Sequence, residues 1–160
     1  MKILVVFATR YGTTGRCAGM LGDALKEKGH NVDIVDLKKN KKADPRPYDA
    51  VAVGGSFVMA RMNSAVKRFT NRNLRTLMDM RTGVFMCGAD ENWEEEIKKG
   101  FPAELLDKAA AKGYFGFEMI WDRMAPFFRN MLQKEYKTTD NVSKIKEENI
   151  KKFAGELAGP

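Results

Sequence analysis

Cysteine is scarce in this chain. Its 160 residues include two, Cys17 and Cys87, too few to staple a fold of this size and not spaced as a CxxC metal pair. No apolar stretch approaches the roughly 18 uninterrupted residues of a membrane-spanning helix. The opening MKILVVF ends its apolar run at Phe7, and Thr9, Arg10 and Tyr11 follow without a small-residue cleavage site, so it does not read as a signal peptide. A reducing cytoplasm is therefore expected, with both cysteines as thiols. The single histidine, His30, follows Gly29 in a turn and is assigned no catalysis. No paired-acid, Ser-His or Cys-His arrangement stands out, so a cofactor is expected to carry any chemistry. Acidic residues are outnumbered, 21 against 28 Lys plus Arg, for a net charge of +7. That balance favours anionic partners (nucleic acid, acidic lipid surfaces, carboxylates or phosphates) without choosing among them.

What is present is ordinary globular material. Hydrophobic residues make up 44% of the chain in periodic runs, which excludes disorder, and the length suits one domain spanning 1–160. ILVVF at 3–7 reads as a strand buried on both faces. A helical pattern covers Arg16–Lys28 and stops at Gly29. Strands are expected at Val32–Leu37, Ala50–Val53, Val84–Cys87 and Tyr114–Met119. Helices are expected over Ser64–Met78, between Trp93 and Ala111 with interruptions at Gly100 and Pro102, over Trp121–Lys134, and over Ser143–Leu157. Pro126 marks a helix start or a bend. Strands thus alternate with helices, which calls for a doubly wound five-stranded parallel sheet in the order 2-1-3-4-5, with helices on both faces.

In such a sheet, ligands bind beyond the carboxyl ends of the strands. Three loops lie there: 8–15, 54–63 and 88–93. The first, Thr9-Arg10-Tyr11-Gly12-Thr13-Thr14, leads from a buried strand into a helix start, where free N–H groups and partial positive charge suit a phosphate. Gly12 permits a tight backbone turn, the threonine hydroxyls can donate hydrogen bonds, and Arg10 adds charge if it points inward. A threonine-capped helix without a ligand is the alternative. Other phosphate sites are excluded by counting. There is no Walker string and no G-x-G-x-x-G. Six residues after Cys17 and Cys87 stand Asp23 and Trp93 rather than the arginine of a cysteine phosphatase, and no carboxylate ends strand 3. A mononucleotide-type site remains.

Strand, Thr-x-x-Gly-x-Thr and helix, with Thr9, Gly12 and Thr14 in place, resembles the FMN phosphate loop of flavodoxins. More narrowly, YDAVAVGGSFVMARMNSAVKRF and the Trp121-Asp122-Arg123-Met124 opening of an inserted stretch are similar to the flavodoxin-fold, menaquinone-dependent protoporphyrinogen oxidases. The resemblance spans nearly the whole chain and implies a flavodoxin-like fold, FMN as cofactor, and an oxidoreductase using a quinone acceptor. The alternative is an electron carrier docking on redox partner proteins. A flavin-free interaction protein is a third class. No nucleic-acid partner is expected.

By that resemblance, Thr9, Arg10, Tyr11, Gly12, Thr13 and Thr14 take the ribityl phosphate. Ser56, Phe57, Val58, Met59, Ala60 and Arg61 pass along one face of the isoalloxazine. Cys87, Gly88, Ala89, Asp90, Asn92 and Trp93 line the other face and the pyrimidine edge. Phe57 and Trp93 are the aromatics available for stacking. Arg61 beside the pyrimidine edge would stabilise a reduced, anionic ring and raise the potential, unless it points to solvent. Asp90 and Asn92 either bond the ring or cap the next helix. Cys87 reads as a small buried hydrophobe. Lys38, Lys39, Lys41 and Lys42 read as a solvated basic loop. The apolar side chains of 121–132 cover a sheet edge, wall a quinone or porphyrin, or rest peripherally on the inner face of a membrane.

Overall fold

The computed structural model describes residues 1–160. Five strands form the parallel sheet: β1 (Lys2–Ala8), β2 (Asn31–Asp36), β3 (Ala50–Val58), β5 (Arg81–Cys87) and β6 (Ala111–Tyr114), in the order β2-β1-β3-β5-β6. A two-residue β4 (Arg61–Met62) folds back antiparallel on the end of β3. Counting only the five long strands, this is the expected 2-1-3-4-5 order.

The continuous apolar strands are divided between two cores by the alternation of side chains across a pleat. Leu4, Val6, Val51, Val53, Val84 and Met86 meet Val66, Phe69 and Leu77 of α2 (Ser64–Asp79), Ile97 of α3 (Trp93–Gly100) and Leu105 of α4 (Ala103–Lys108). Ile3, Val5, Ala50, Ala52 and Phe85 meet Leu21 and Leu25 of α1 (Thr13–Glu27) and Ile150, Phe153 and Leu157 of α6 (Glu147–Ala158) on the other face. Central β1 keeps Ile3–Val6 at 1% exposure or less, whereas the edge strand β2 is mostly open to solvent.

Gly54 and Gly55 were expected to open a ligand loop, but they lie inside β3, which runs on to Val58. Their role is packing. A Cβ on Gly54 would overlap the Phe85 ring, and one on Gly55 would come within 2.6 Å of Val66 and 2.7 Å of Met62. The freed space lets Phe85 stack on Phe115 at 4.7 Å and meet Phe153 edge-on at 5.8 Å.

The last strand also differs from the expected Tyr114–Met119. Strand β6 ends at Tyr114, and Gly116, at φ +83°, turns the chain out of the sheet. Glu118–Met119 (β7) then pairs antiparallel with Val142–Ser143 (β8) in a separate ribbon. Residues 121–123 form a 3-10 turn rather than the start of an α-helix, and α5 spans Pro126–Tyr136 with Pro126 at its first position. The terminal helix accordingly begins at Glu147, not Ser143, and α1 begins at Thr13, three residues before the expected start.

Candidate functional site

A cavity of about 640 Å³ opens at the carboxyl ends of β1, β3 and β5, within the size range of small-molecule sites. Three walls are those expected from the sequence: Thr9, Tyr11, Thr13 and Thr14; Ser56, Phe57, Val58, Met59 and Ala60; and Cys87, Gly88, Ala89 and Asp90. Arg10 and Arg61 instead line a neighbouring cleft with Lys38, which shares Ser56, Val58 and Met59 with the cavity. Gly12, Asn92 and Trp93 line neither space.

The first loop is shaped by Gly12, which caps α1 in the left-handed region at φ +99°. Its N–H donates to Thr9 Oγ1 at 2.8 Å. No side chain caps α1 and no acidic residue stands in its first turn, so the threonine-capped alternative does not apply. The helix start keeps its free N–H groups and its partial positive charge. Behind them the Thr14 hydroxyl is fully buried, beside the Cys87 thiol, without a hydrogen-bond partner. The buried Tyr11 hydroxyl also lacks a partner. A buried hydroxyl left unpaired carries a desolvation cost, and an anion at the loop can offset it.

The second loop is a tight hairpin with Met59 and Ala60 both left-handed, at φ +51° and +58°. For residues with a Cβ that conformation costs about 1–3 kcal/mol each and clusters at ligand-binding positions. Met59 stands 63% exposed at the tip. The Phe57 ring, by contrast, is buried against Met62 and Gly100, where a Cβ would come within 2.6 Å of it. The third loop keeps Trp93 away from the cavity, stacked on Tyr114 at 6.3 Å and 9°. Asp90 Oδ1 accepts from the Asn92 N–H at 2.9 Å.

Titratable groups here are held in definite states. Cys17 beside it, together with burial, pushes the Cys87 thiol up, so Cys87 is an unreactive thiol rather than a redox nucleophile. Burial, reinforced by Glu91, pushes the Tyr114 phenol up to about 12, and its hydroxyl donates to the Gly88 carbonyl at 2.6 Å. Burial and then Glu135 and Glu91 raise Tyr136 as well. Although the chain is basic overall, the cavity is lined by Asp90, Glu91, Glu96, Glu118 and Glu135 with no lysine or arginine. Glu96 is paired to Lys99 at 2.6 Å, and Glu118 to Arg16. The positive side chains Arg10, Lys38 and Arg61 gather in the adjoining cleft.

The fourth wall was absent from the site residues read from sequence. It consists of Phe117, Glu118, Met119, Met124, Phe128, Met131, Leu132, Glu135 and Tyr136, all on the segment that leaves the sheet after Gly116. Met124, Phe128, Met131 and Leu132 belong to the apolar stretch 121–132, for which a wall against a quinone or porphyrin was one of the three expected roles. Met124 and Phe128 turn inward with Met119, while Phe127 and Met131 remain 64% and 40% exposed. Phe128 meets Tyr11 edge-on at 5.9 Å, and the Arg10 guanidinium lies 4.8 Å over the Phe128 ring. These contacts fasten the segment to the first loop. No helix is long and apolar enough to cross a membrane.

With this geometry in place, comparison with known proteins gives consistent results. The sequence model of the flavodoxin domain matches residues 4–146. Protoporphyrinogen IX dehydrogenase (quinone) of Escherichia coli K12 is 29% identical over 85 residues, 53% of this chain and 47% of that enzyme. The chain therefore spans about half the length of the curated relatives it matches. Among solved structures, flavodoxin 2 of Bacillus cereus superposes with a TM-score of 0.62 at 18% identity, covering 99% of this chain and 98% of the other. The two-electron reduced flavodoxin of Megasphaera elsdenii also gives 0.62, at 15% identity and 98% of both chains.

Proposed function

Because the chain belongs to the flavodoxin family and binds FMN, we propose that it is an oxidoreductase acting on a large, mainly apolar tetrapyrrole of the protoporphyrinogen class with a quinone as acceptor. The observation that carries this reading is the apolar fourth wall, Met119, Met124, Phe128, Met131 and Leu132, closing over the cavity. The half-length likeness to a protoporphyrinogen dehydrogenase supports it.

The residues present fit the cofactor. A terminal phosphate suits the free N–H groups of α1, the left-handed turn at Gly12 and the unpartnered hydroxyl of Thr14. The hydroxyls of Thr9 and Thr13 complete that set, with Arg10 and Tyr11 alongside. The ring is assigned to the space between Ser56–Ala60 and Cys87–Asp90, with Arg61 reaching it only from the adjoining cleft. Asn92 and Trp93, which line neither space, are left out of the proposed set. FMN supplies the redox chemistry through its ring.

The chain's own side chains do the rest. The methionines and Phe128 exclude water and offer soft, apolar contact that can adapt to a puckered macrocycle. Cys87, a thiol, and Tyr114 and Tyr136, both protonated phenols, bring no further charge to the cavity. The substrate's propionate groups are repelled by Glu91 and Glu135, and the complementary place for them is the cleft of Arg10, Lys38 and Arg61.

One observation favours a second reading. Three cavity carboxylates without a cationic partner, Asp90, Glu91 and Glu135, oppose negative charge on a reduced ring and so lower the potential, as suits an electron carrier serving a redox partner protein. The two readings separate in one assay. FMN-loaded protein is mixed with protoporphyrinogen and a menaquinone analogue, and porphyrin fluorescence is followed. Turnover supports the oxidoreductase. Electron exchange with ferredoxin-type proteins and no porphyrin formation supports the carrier.

A further inference from the structure

We infer that Arg123, carried by the segment between Gly116 and Lys144, reaches across to the FMN phosphate, so that binding the phosphate also fixes this segment over the site. The inference rests on the FMN reading and deepens it. Four cations surround the first loop, and three are engaged with protein groups. Lys38 Nζ donates to the Thr9 carbonyl at 2.5 Å. Arg16 is paired with Glu118. Arg10 lies over the rings of Tyr11 and Phe128 at 5.5 and 4.8 Å.

The Arg123 guanidinium is the fourth. It forms neither a hydrogen bond nor an ion pair with any protein group, yet its Nη1 lies 3.1 Å from where a Cβ on Gly12 would stand. The exposed, unpaired guanidinium lies against Gly12, the cap of α1, two residues before Thr14, whose fully buried hydroxyl also has no partner, so both groups remain available to an anion at this loop. Gly12 is required for its positive φ, and its lack of a Cβ lets the guanidinium lie directly against the backbone of the turn.

Arg123 is positioned by backbone rather than by a flexible stem alone. The 3-10 turn Trp121–Arg123 is held by the Arg123 N–H to the Ile120 carbonyl at 2.9 Å and the Met124 N–H to the Trp121 carbonyl at 3.2 Å. The Trp121 N–H donates to Asn141 Oδ1 at 3.1 Å and its indole N–H to the Asp140 carbonyl, and Met124 is buried against Met119 and Phe128. A guanidinium binds a phosphate through paired, charge-assisted hydrogen bonds. A neutral substitute forfeits them while the rest of the flavin keeps its contacts.

The test compares FMN with riboflavin, which lacks the phosphate, on wild-type protein, Arg123→Gln and Arg123→Lys, with amide hydrogen exchange over 117–143. The expected result is a dissociation constant for FMN at least about tenfold weaker in Arg123→Gln, the usual scale of a lost charged hydrogen bond. Riboflavin affinity stays unchanged and Arg123→Lys falls between. FMN should slow exchange at the Arg123 and Met124 amides in wild-type protein but not in Arg123→Gln, and riboflavin should not slow it in either. Because Arg123 is exposed, the variant melts at the wild-type temperature. Equal FMN affinity in Arg123→Gln and wild type overturns the inference while leaving the FMN reading intact. Wild-type protein that binds neither flavin overturns the FMN reading itself.

Discussion

Replacing Thr14 by valine keeps the shape of the side chain and removes a hydroxyl that is buried and has no partner. In the cofactor-free protein the change removes a desolvation cost of about 1–3 kcal/mol. In a chain of this size that raises the midpoint of thermal unfolding by roughly 2–12 °C, at about 2–4 °C per kcal/mol. In the FMN complex it removes a hydrogen bond to a charged group, worth about 1.5–3 kcal/mol, and so weakens FMN roughly 10- to 150-fold. The two effects have opposite signs, which a merely structural hydroxyl cannot produce. Differential scanning fluorimetry of the apoprotein and a flavin-fluorescence titration read them separately, with riboflavin as the phosphate-free control. A variant that melts lower than wild type and binds FMN equally well would refute the reasoning, and would mean that the neighbouring Cys87 thiol already satisfies the hydroxyl.

Two other outcomes are expected. Tyr114, with its folded pKa pushed up to about 12 from an ordinary value near 10, contributes stability that is complete below about pH 10 and is lost as pH rises towards the folded value. Urea melts between pH 8 and 11.5 should show that loss in wild-type protein and a shallower one in Tyr114→Phe. Gly54→Ala places a methyl group into the Phe85 ring and should lower stability by about 1–3 kcal/mol, measured by urea unfolding, with disturbance centred on the Phe85–Phe115–Phe153 cluster rather than on flavin binding.

Much of the frame was legible because strands buried on both faces must be continuously apolar, as at Ile3–Val6, and because ligand loops of a doubly wound sheet fall in predictable places. The loop from Thr9 to Thr14 was found on that ground. Gly54 and Gly55 were misread because a glycine that clears space for a ring looks, in sequence, like a glycine that opens a loop. Only Phe85 and Val66, reached across the sheet and from α2, reveal the difference. The end of the last strand was misplaced for a related reason. Tyr114–Met119 has strand-like composition throughout, and the turn at Gly116 is dictated by a carbonyl nearly thirty residues later. The acidic cavity was hidden by the arithmetic itself. A net charge of +7 is a sum, and Asp90, Glu91, Glu96, Glu118 and Glu135 are gathered by folding from stretches far apart in the chain. Phe57 and Trp93 were singled out as aromatics in the right loops; Phe57 lines the cavity while its ring packs against Gly100, whereas stacking on Tyr114 commits Trp93 to the frame.

At Gly116 any side chain would collide with the Lys144 carbonyl, and the Lys144 N–H donates to Phe117 O while Lys146 N–H donates to Phe115 O. Everything between those positions departs and returns through a single doorway, whose jambs are tied to each other by main-chain hydrogen bonds and to the core by the buried Phe115 ring. A detour of that kind can be lengthened, shortened or exchanged during descent with little consequence for the doubly wound body beneath. In this architecture access to the ring and the Arg123 grip on the phosphate ride on one appendage, so a change in its length alters both together and spares the sheet.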